Sequence, residues 1–82
     1  MVYLILSKNG YADLKAEIDS SGNSYWVSEE IVSKEEAEEH WSRSSHLTVI
    51  KGKINKKNNR EIESVLSDIS EHHPGETIWI EK

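Results

Sequence analysis

"NGYADLKAEIDSSG", residues 9–22, decides the fold, because it supports two different secondary structures. Asn9-Gly10 is the strongest short hairpin signal, since both residues tolerate the positive φ of a type I′ turn. Beyond it, Ala12, Leu14, Ala16 and Ile18 alternate with Asp13, Lys15, Glu17 and Asp19, a period of two with one apolar face. Against this, Tyr11, Leu14 and Ile18 also fit helical spacing, the segment is rich in good helix formers, and Gly22 suits a helix end. We take the strand as the expectation, paired through the turn with the apolar run Val2 to Leu6, and keep a helix over 11–21 as the alternative.

The rest of the chain is read outward from there. "SSGN", residues 20–23, is a turn, and "SYWVSEEIV", residues 24–32, follows as a third strand. "SKEE", residues 33–36, matches a capping box: the Ser33 hydroxyl accepts from the Glu36 amide while the Glu36 side chain reaches back. A helix is expected from Lys34 to about Arg43, with a thin apolar stripe of Ala37, Trp41 and His40. "SHLTVIKGKI", residues 45–54, is a strand centred on Val49 and Ile50. Asn58, three residues before Glu61, marks the start of a second helix. Ile62, Val65, Leu66, Ile69 and His73 then recur at helical spacing, the widest apolar stripe in the chain. Pro74 and Gly75 stop it, and "TIWIEK", residues 77–82, closes the chain as a strand.

The expected order is β-β-β-α-β-α-β. It implies a single small α+β domain, residues 1–82, with a mixed five-stranded sheet and two helices on one face. If residues 11–21 are helical, a ferredoxin-like arrangement is the alternative. The expected core is Leu4, Leu6, Val49, Ile62, Val65, Leu66 and Ile69. The helix-free face should carry some of Tyr3, Tyr11, Trp26 and Trp79, either open to solvent or closed by a second copy of the chain.

Composition bounds the chemistry. With 82 residues and no cysteine, the chain has room for one domain, no disulfide framework and no thiolate metal site. Small secreted domains usually depend on such staples, so a cytoplasmic location is expected. "MVYLILSKNG" has too short an apolar run and no basic lead for a signal peptide or a membrane span, and no membrane partner is expected.

The net charge of −5 is unevenly spread: residues 1–50 hold nine acids and four bases, and residues 51–60 hold five bases and no acid. The basic residues Lys51, Lys53, Lys56, Lys57 and Arg60 are the alternative anion or nucleic-acid contact, next to a helix N-terminus that favours anions. No aromatic residue lies among them to stack a base. Glu29, Glu30, Glu35, Glu36, Glu38 and Glu39 place six carboxylates in eleven residues. A solvated helix face explains such a run, and so does a patch that docks a basic partner. His72, His73 and Glu76 gather at the end of the second helix, and His40 and His46 flank the end of the first, but neither spacing suits a zinc site. No nucleophile elbow, P-loop, HExxH or dinucleotide fingerprint is present. The expectation is a non-catalytic protein-interaction or inhibitory module without metal or cofactor. Its contact residues would be Glu35, Glu36, Glu38 and Glu39 on the acidic helix face, or Trp26 and Trp79 on the sheet. A nucleic-acid-associated protein using residues 51–60 is the runner-up.

Overall fold

Strands and helices alternate strictly in the computed structural model, which describes residues 1–82. The elements are β1 (Val2–Ile5), α1 (Lys8–Ser20), β2 (Ser24–Ser28), α2 (Lys34–Ser42), β3 (His46–Ile50), α3 (Asn59–His72) and β4 (Ile78–Glu81). The strands form one sheet in the order β3-β2-β1-β4, and every neighbouring pair is parallel. The result is a small α+β domain with three helices and four strands. It corrects the expected five-stranded mixed sheet with two helices on one face. The ferredoxin-like alternative fails as well, because that arrangement joins two of its strands directly, without a helix between them. The physical reason is connectivity. Parallel neighbours cannot be joined by a two-residue turn and need a crossover, here a helix each time.

Residues 11–20 are therefore helical, and Asn9-Gly10 lies in the first turn of α1 rather than in a hairpin. Ser7 supplies the start: its hydroxyl accepts from the Gly10 amide at 3.0 Å, and its carbonyl accepts from Tyr11 N at 3.0 Å. Gly10 serves close approach rather than a turn. A Cβ there would stand 2.8 Å from Glu81 Cγ and 3.1 Å from Ser7 Oγ. Tyr11 and Ile18 are buried and Leu14 half-buried, while Ala12 and Ala16 face solvent. The helical spacing thus describes the buried face, and the alternation of two was coincidental.

The other helices begin where expected. Both halves of the Ser33–Glu36 capping box form. Asn58 Oδ1 accepts from Arg60 N at 3.0 Å and Glu61 N at 3.4 Å. α3 ends at His72, just before Pro74 and the positive φ of Gly75, 78°.

Two apolar layers sandwich the sheet. Ile5, Tyr25, Val27 and Leu47 pack with Tyr11 and Ile18 of α1, Ala37 of α2, and Val32. Val2, Leu4, Leu6 and Trp26 pack with Ile62 and Ile69 of α3. Successive residues of β1 and β2 thus enter opposite layers. Strands covered on both faces read as continuous apolar runs, not as alternating ones. Of the expected core, Leu4, Leu6, Ile62 and Ile69 are buried together, with Val65 and Leu66 half-buried beside them. Val49 belongs to the opposite layer. Trp26 is buried against the α3 layer and Tyr11 is buried on α1, so neither lies on an open sheet face. The sheet has no helix-free face, which corrects that expectation: Trp79 is 53% exposed at edge strand β4, on the same face as α1 and α2, beside half-buried Tyr3, whose ring stacks on Tyr25 at 5.0 Å. No helix is long and apolar enough to cross a membrane.

Candidate functional site

The site is built around α2, and a polar network fixes that helix. His40 is 2% exposed. Its Nδ1 lies 2.6 Å from Asp19 Oδ1 at the end of α1, and its Nε2 lies 2.8 Å from the Tyr11 hydroxyl. Asp19 also accepts from Ser45 Oγ at 2.5 Å and Arg43 Nη1 at 2.8 Å. The hydrogen bond from His40, reinforced by those from Ser45 and Arg43, holds the Asp19 carboxyl well below the usual carboxylate range. An ionised carboxylate only accepts, so Nδ1 is the donor in that pair. Burial pushes the Tyr11 phenol up to about 12, with the Glu36 charge adding to the effect.

A hydroxyl, an imidazole and a carboxylate in series resemble a nucleophilic triad. Here the hydroxyl is a phenol that keeps its proton, Tyr11 is 6% exposed, and neither groove on the surface reaches Tyr11, His40 or Asp19. The network's evident work is to set α2 against α1.

With His40 turned inward, the next residue turns outward. Trp41 is 49% exposed, which corrects its expected place in the packed stripe. Its indole N–H donates to the Leu47 carbonyl at 2.8 Å. That bond holds the ring at a defined orientation and presents its apolar surface to solvent. Trp41 lines a groove of about 690 Å3 together with Val32, Ala37 and Val49. Glu29, Glu30, Lys34 and Lys53 supply its polar lining. The groove is of the size that small ligands and peptide side chains occupy.

The acidic residues fall into two groups. Glu35, Glu38 and Glu39 are exposed on α2, and Glu29 and Glu30 are exposed before it. Glu36 is committed elsewhere. Its Oε1 accepts from Ser33 N at 3.2 Å and its Oε2 lies 3.9 Å from Lys15 Nζ. The Ser33 amide is the main reason its carboxyl is held below the usual range. Trp79 lies on β4, at the opposite edge of the sheet from β3, and does not join this groove.

The basic residues Lys51, Lys53, Lys56, Lys57 and Arg60 are all exposed. A second groove, about 610 Å3, runs along Leu6 and Ile54 and takes in Lys53 and Lys56, but also Glu30 and Glu61. Lys53 Nζ stands 4.0 Å from Glu30 Oε2, and Lys56 Nζ 3.5 Å from the Lys82 carbonyl. Carboxylates therefore interrupt the positive field.

At the other end of the sheet, Glu76 accepts from the Met1 amine at 3.1 Å and pairs with His73 Nδ1 at 2.9 Å. Those two partners, the amine first, hold its carboxyl below the usual range. His40 is enclosed while His46 is exposed, and no three His, Asp or Glu side chains converge to hold a metal ion.

Sequence reasoning missed the Trp41 groove and the Tyr11–His40–Asp19 network. Both depend on residues 11–19 being helical. Under that reading, Tyr11 and Ile18 would have marked the face of α1 that meets α2. No family model matches the chain, and no match was found among curated proteins or solved structures.

Proposed function

We propose that the protein is a non-catalytic interaction module whose α2 surface docks a basic, partly apolar segment of another protein. The observation that carries this reading is Trp41: a half-exposed tryptophan, oriented by its bond to Leu47 O, at an apolar groove. Tryptophans in such settings are the residues most enriched among binding hot spots. An oriented ring also loses little freedom on binding.

Charge selects the partner. Five exposed carboxylates, Glu29, Glu30, Glu35, Glu38 and Glu39, surround the groove or lie on its helix, against the ammonium groups of Lys34 and Lys53. Such a field speeds encounter with a basic partner and discriminates against acidic ones. Occupying a basic surface in this way would make the protein inhibitory towards that surface's other ligands.

The second reading, nucleic-acid association through Lys51, Lys53, Lys56, Lys57 and Arg60, is favoured by five exposed cations in ten residues beside the start of α3. The interleaved Glu30 and Glu61 and the net charge of −5 weigh against it.

Affinity capture from lysate with wild type, Trp41→Ala and the double variant Glu35→Lys/Glu38→Lys tests the proposal. A partner with a Lys/Arg-rich apolar segment should bind wild type, lose about 30-fold in affinity with Trp41→Ala, and be released by salt or by charge reversal. Partners held equally by all three proteins would overturn the proposal. Binding of RNA or DNA at about 150 mM salt, lost when Lys56 and Lys57 are neutralised, would install the second reading.

A further inference from the structure

The two edges of the sheet differ, and the difference points to self-association. On β3, the Ile50 carbonyl accepts from Glu29 N and so faces β2. By alternation, the backbone groups of Leu47 and Val49 face outward. There the Trp41 indole occupies the Leu47 carbonyl. Along Ile78 to Ile80, β4 has no such guard; the nearest side-chain bond, from Lys56 Nζ to the Lys82 carbonyl at 3.5 Å, lies beyond the end of the strand. Val2 N donates to Thr77 O at 2.9 Å and Leu6 N to Glu81 O at 2.8 Å, so these carbonyls face β1. The N–H and C=O groups of Ile78 and Ile80 then point away from the sheet, and β4 is the last strand in the order. Its four residues, Ile-Trp-Ile-Glu, contain no proline or lysine to discourage pairing.

The centre of this edge, Ile78-Trp79-Ile80, is symmetric about Trp79. In "ETIWIEK", residues 76–82, reversal places Ile78 opposite Ile80, Thr77 opposite Glu81, and Glu76 opposite Lys82. We propose that two copies of the chain pair antiparallel through β4 about a two-fold axis at Trp79, giving one continuous eight-stranded sheet. In that register, Ile78 and Ile80 of each copy exchange N–H and C=O bonds with Ile80 and Ile78 of the other. Four otherwise unpaired donors and four acceptors are satisfied. The two Trp79 residues form the close, non-hydrogen-bonded pair between them, with Cα atoms about 4.5 Å apart. Their rings, each 53% exposed in the single chain, cover one another at the edge of the α1/α2 face. Glu76 of each copy faces Lys82 of the other, so no like charges meet across the seam. This surface is separate from the Trp41 groove and holds whether or not that groove binds a protein.

The chain has no cysteine, which makes the register directly testable. Trp79→Cys places two thiols across a non-hydrogen-bonded antiparallel pair, within the Cα separation of about 4.4–6.8 Å that a disulfide spans. On mild oxidation of the full-length chain, Trp79→Cys should give a covalent dimer at least fivefold faster than Ala16→Cys, the control at an exposed position of α1 away from both sheet edges. Sedimentation velocity of the wild type from about 5 to 500 µM should show a monomer–dimer equilibrium in the range expected of a small interface. Trp79→Lys, which sets two ammonium groups opposite each other, should abolish it without changing the circular dichroism. A wild type that stays monomeric throughout, a dimer that survives Trp79→Lys, or equal crosslinking of the two cysteine variants would each overturn the proposal.

Discussion

Against α3, the sheet meets Ile62 and Ile69 with Val2, Leu4, Leu6 and Trp26. Against α1 and α2 it meets Tyr11, Ile18 and Ala37, and those helices are also tied together by Asp19, His40, Arg43 and Ser45. The α3 layer is held by burial, which is non-directional and roughly proportional to area. Its polar groups fare poorly: the Trp26 indole N–H and the Ser28 hydroxyl are buried without partners. The α1/α2 layer satisfies its buried polar groups: the Tyr25 hydroxyl pairs with Ser21 Oγ at 2.8 Å, and Tyr11, His40 and Asp19 form a network whose geometry sets where α2 sits. One layer supplies cohesion, and the other positions a surface. The candidate site lies on the second.

The largest effect should come from the burial-driven layer. Ile69→Ala removes a side chain that is 0% exposed and should cost about 2–4 kcal/mol in urea unfolding. No titratable group is involved, so that cost should be the same at pH 3 and pH 7. A cost that shrank in acid would show that the two layers are not independent.

Asp19→Asn probes the opposite layer and should cost about 1–3 kcal/mol at neutral pH, by weakening three hydrogen bonds to a charged acceptor. Its pH dependence has a definite sign. The folded-state pKa is lowered, so below about pH 4 the unfolded chain binds more protons than the folded one. The stabilisation is complete above that pH and is lost as pH falls towards the folded value. Wild type should therefore lose stability faster than Asp19→Asn between about pH 4 and pH 2. Parallel curves would remove the network's electrostatic role.

Asn58→Ala removes the cap that donors Arg60 N and Glu61 N share, and should cost about 0.5–2 kcal/mol with no pH slope of its own. Ser28→Ala sharpens the contrast by reversing the sign. Deleting a buried hydroxyl that has no partner should leave stability unchanged or raise it by up to about 1 kcal/mol. A loss beyond that would mean the Ser28 hydroxyl is engaged. Replacing exposed Lys56 and Lys57 together by Gln touches neither layer and should stay within about 0.5 kcal/mol in the same assay.

Some of this molecule is written locally. The capping box at Ser33, the Asn58 cap, the stripe from Ile62 to Ile69 and the stop at Pro74-Gly75 each depend on residues a few positions apart, and each is legible in the chain alone. The acidic face of α2 was legible in the same way, since Glu35, Glu38 and Glu39 needed only a helix to be exposed. Asn9-Gly10 and the alternation after it were ambiguous because hairpin and helix both satisfy local chemistry there. Only the tertiary structure decided between them, by pairing β1 in parallel with β2 on one side and with β4, from the far end of the chain, on the other. That choice compels a crossover, makes residues 8–20 a helix, brings Asp19 and Tyr11 to His40, and turns Trp41 outward. Caps and stripes are short-range interactions that a single segment can specify. Strand direction and the faces of a sheet are set by pairings between distant segments, and no one segment carries that information.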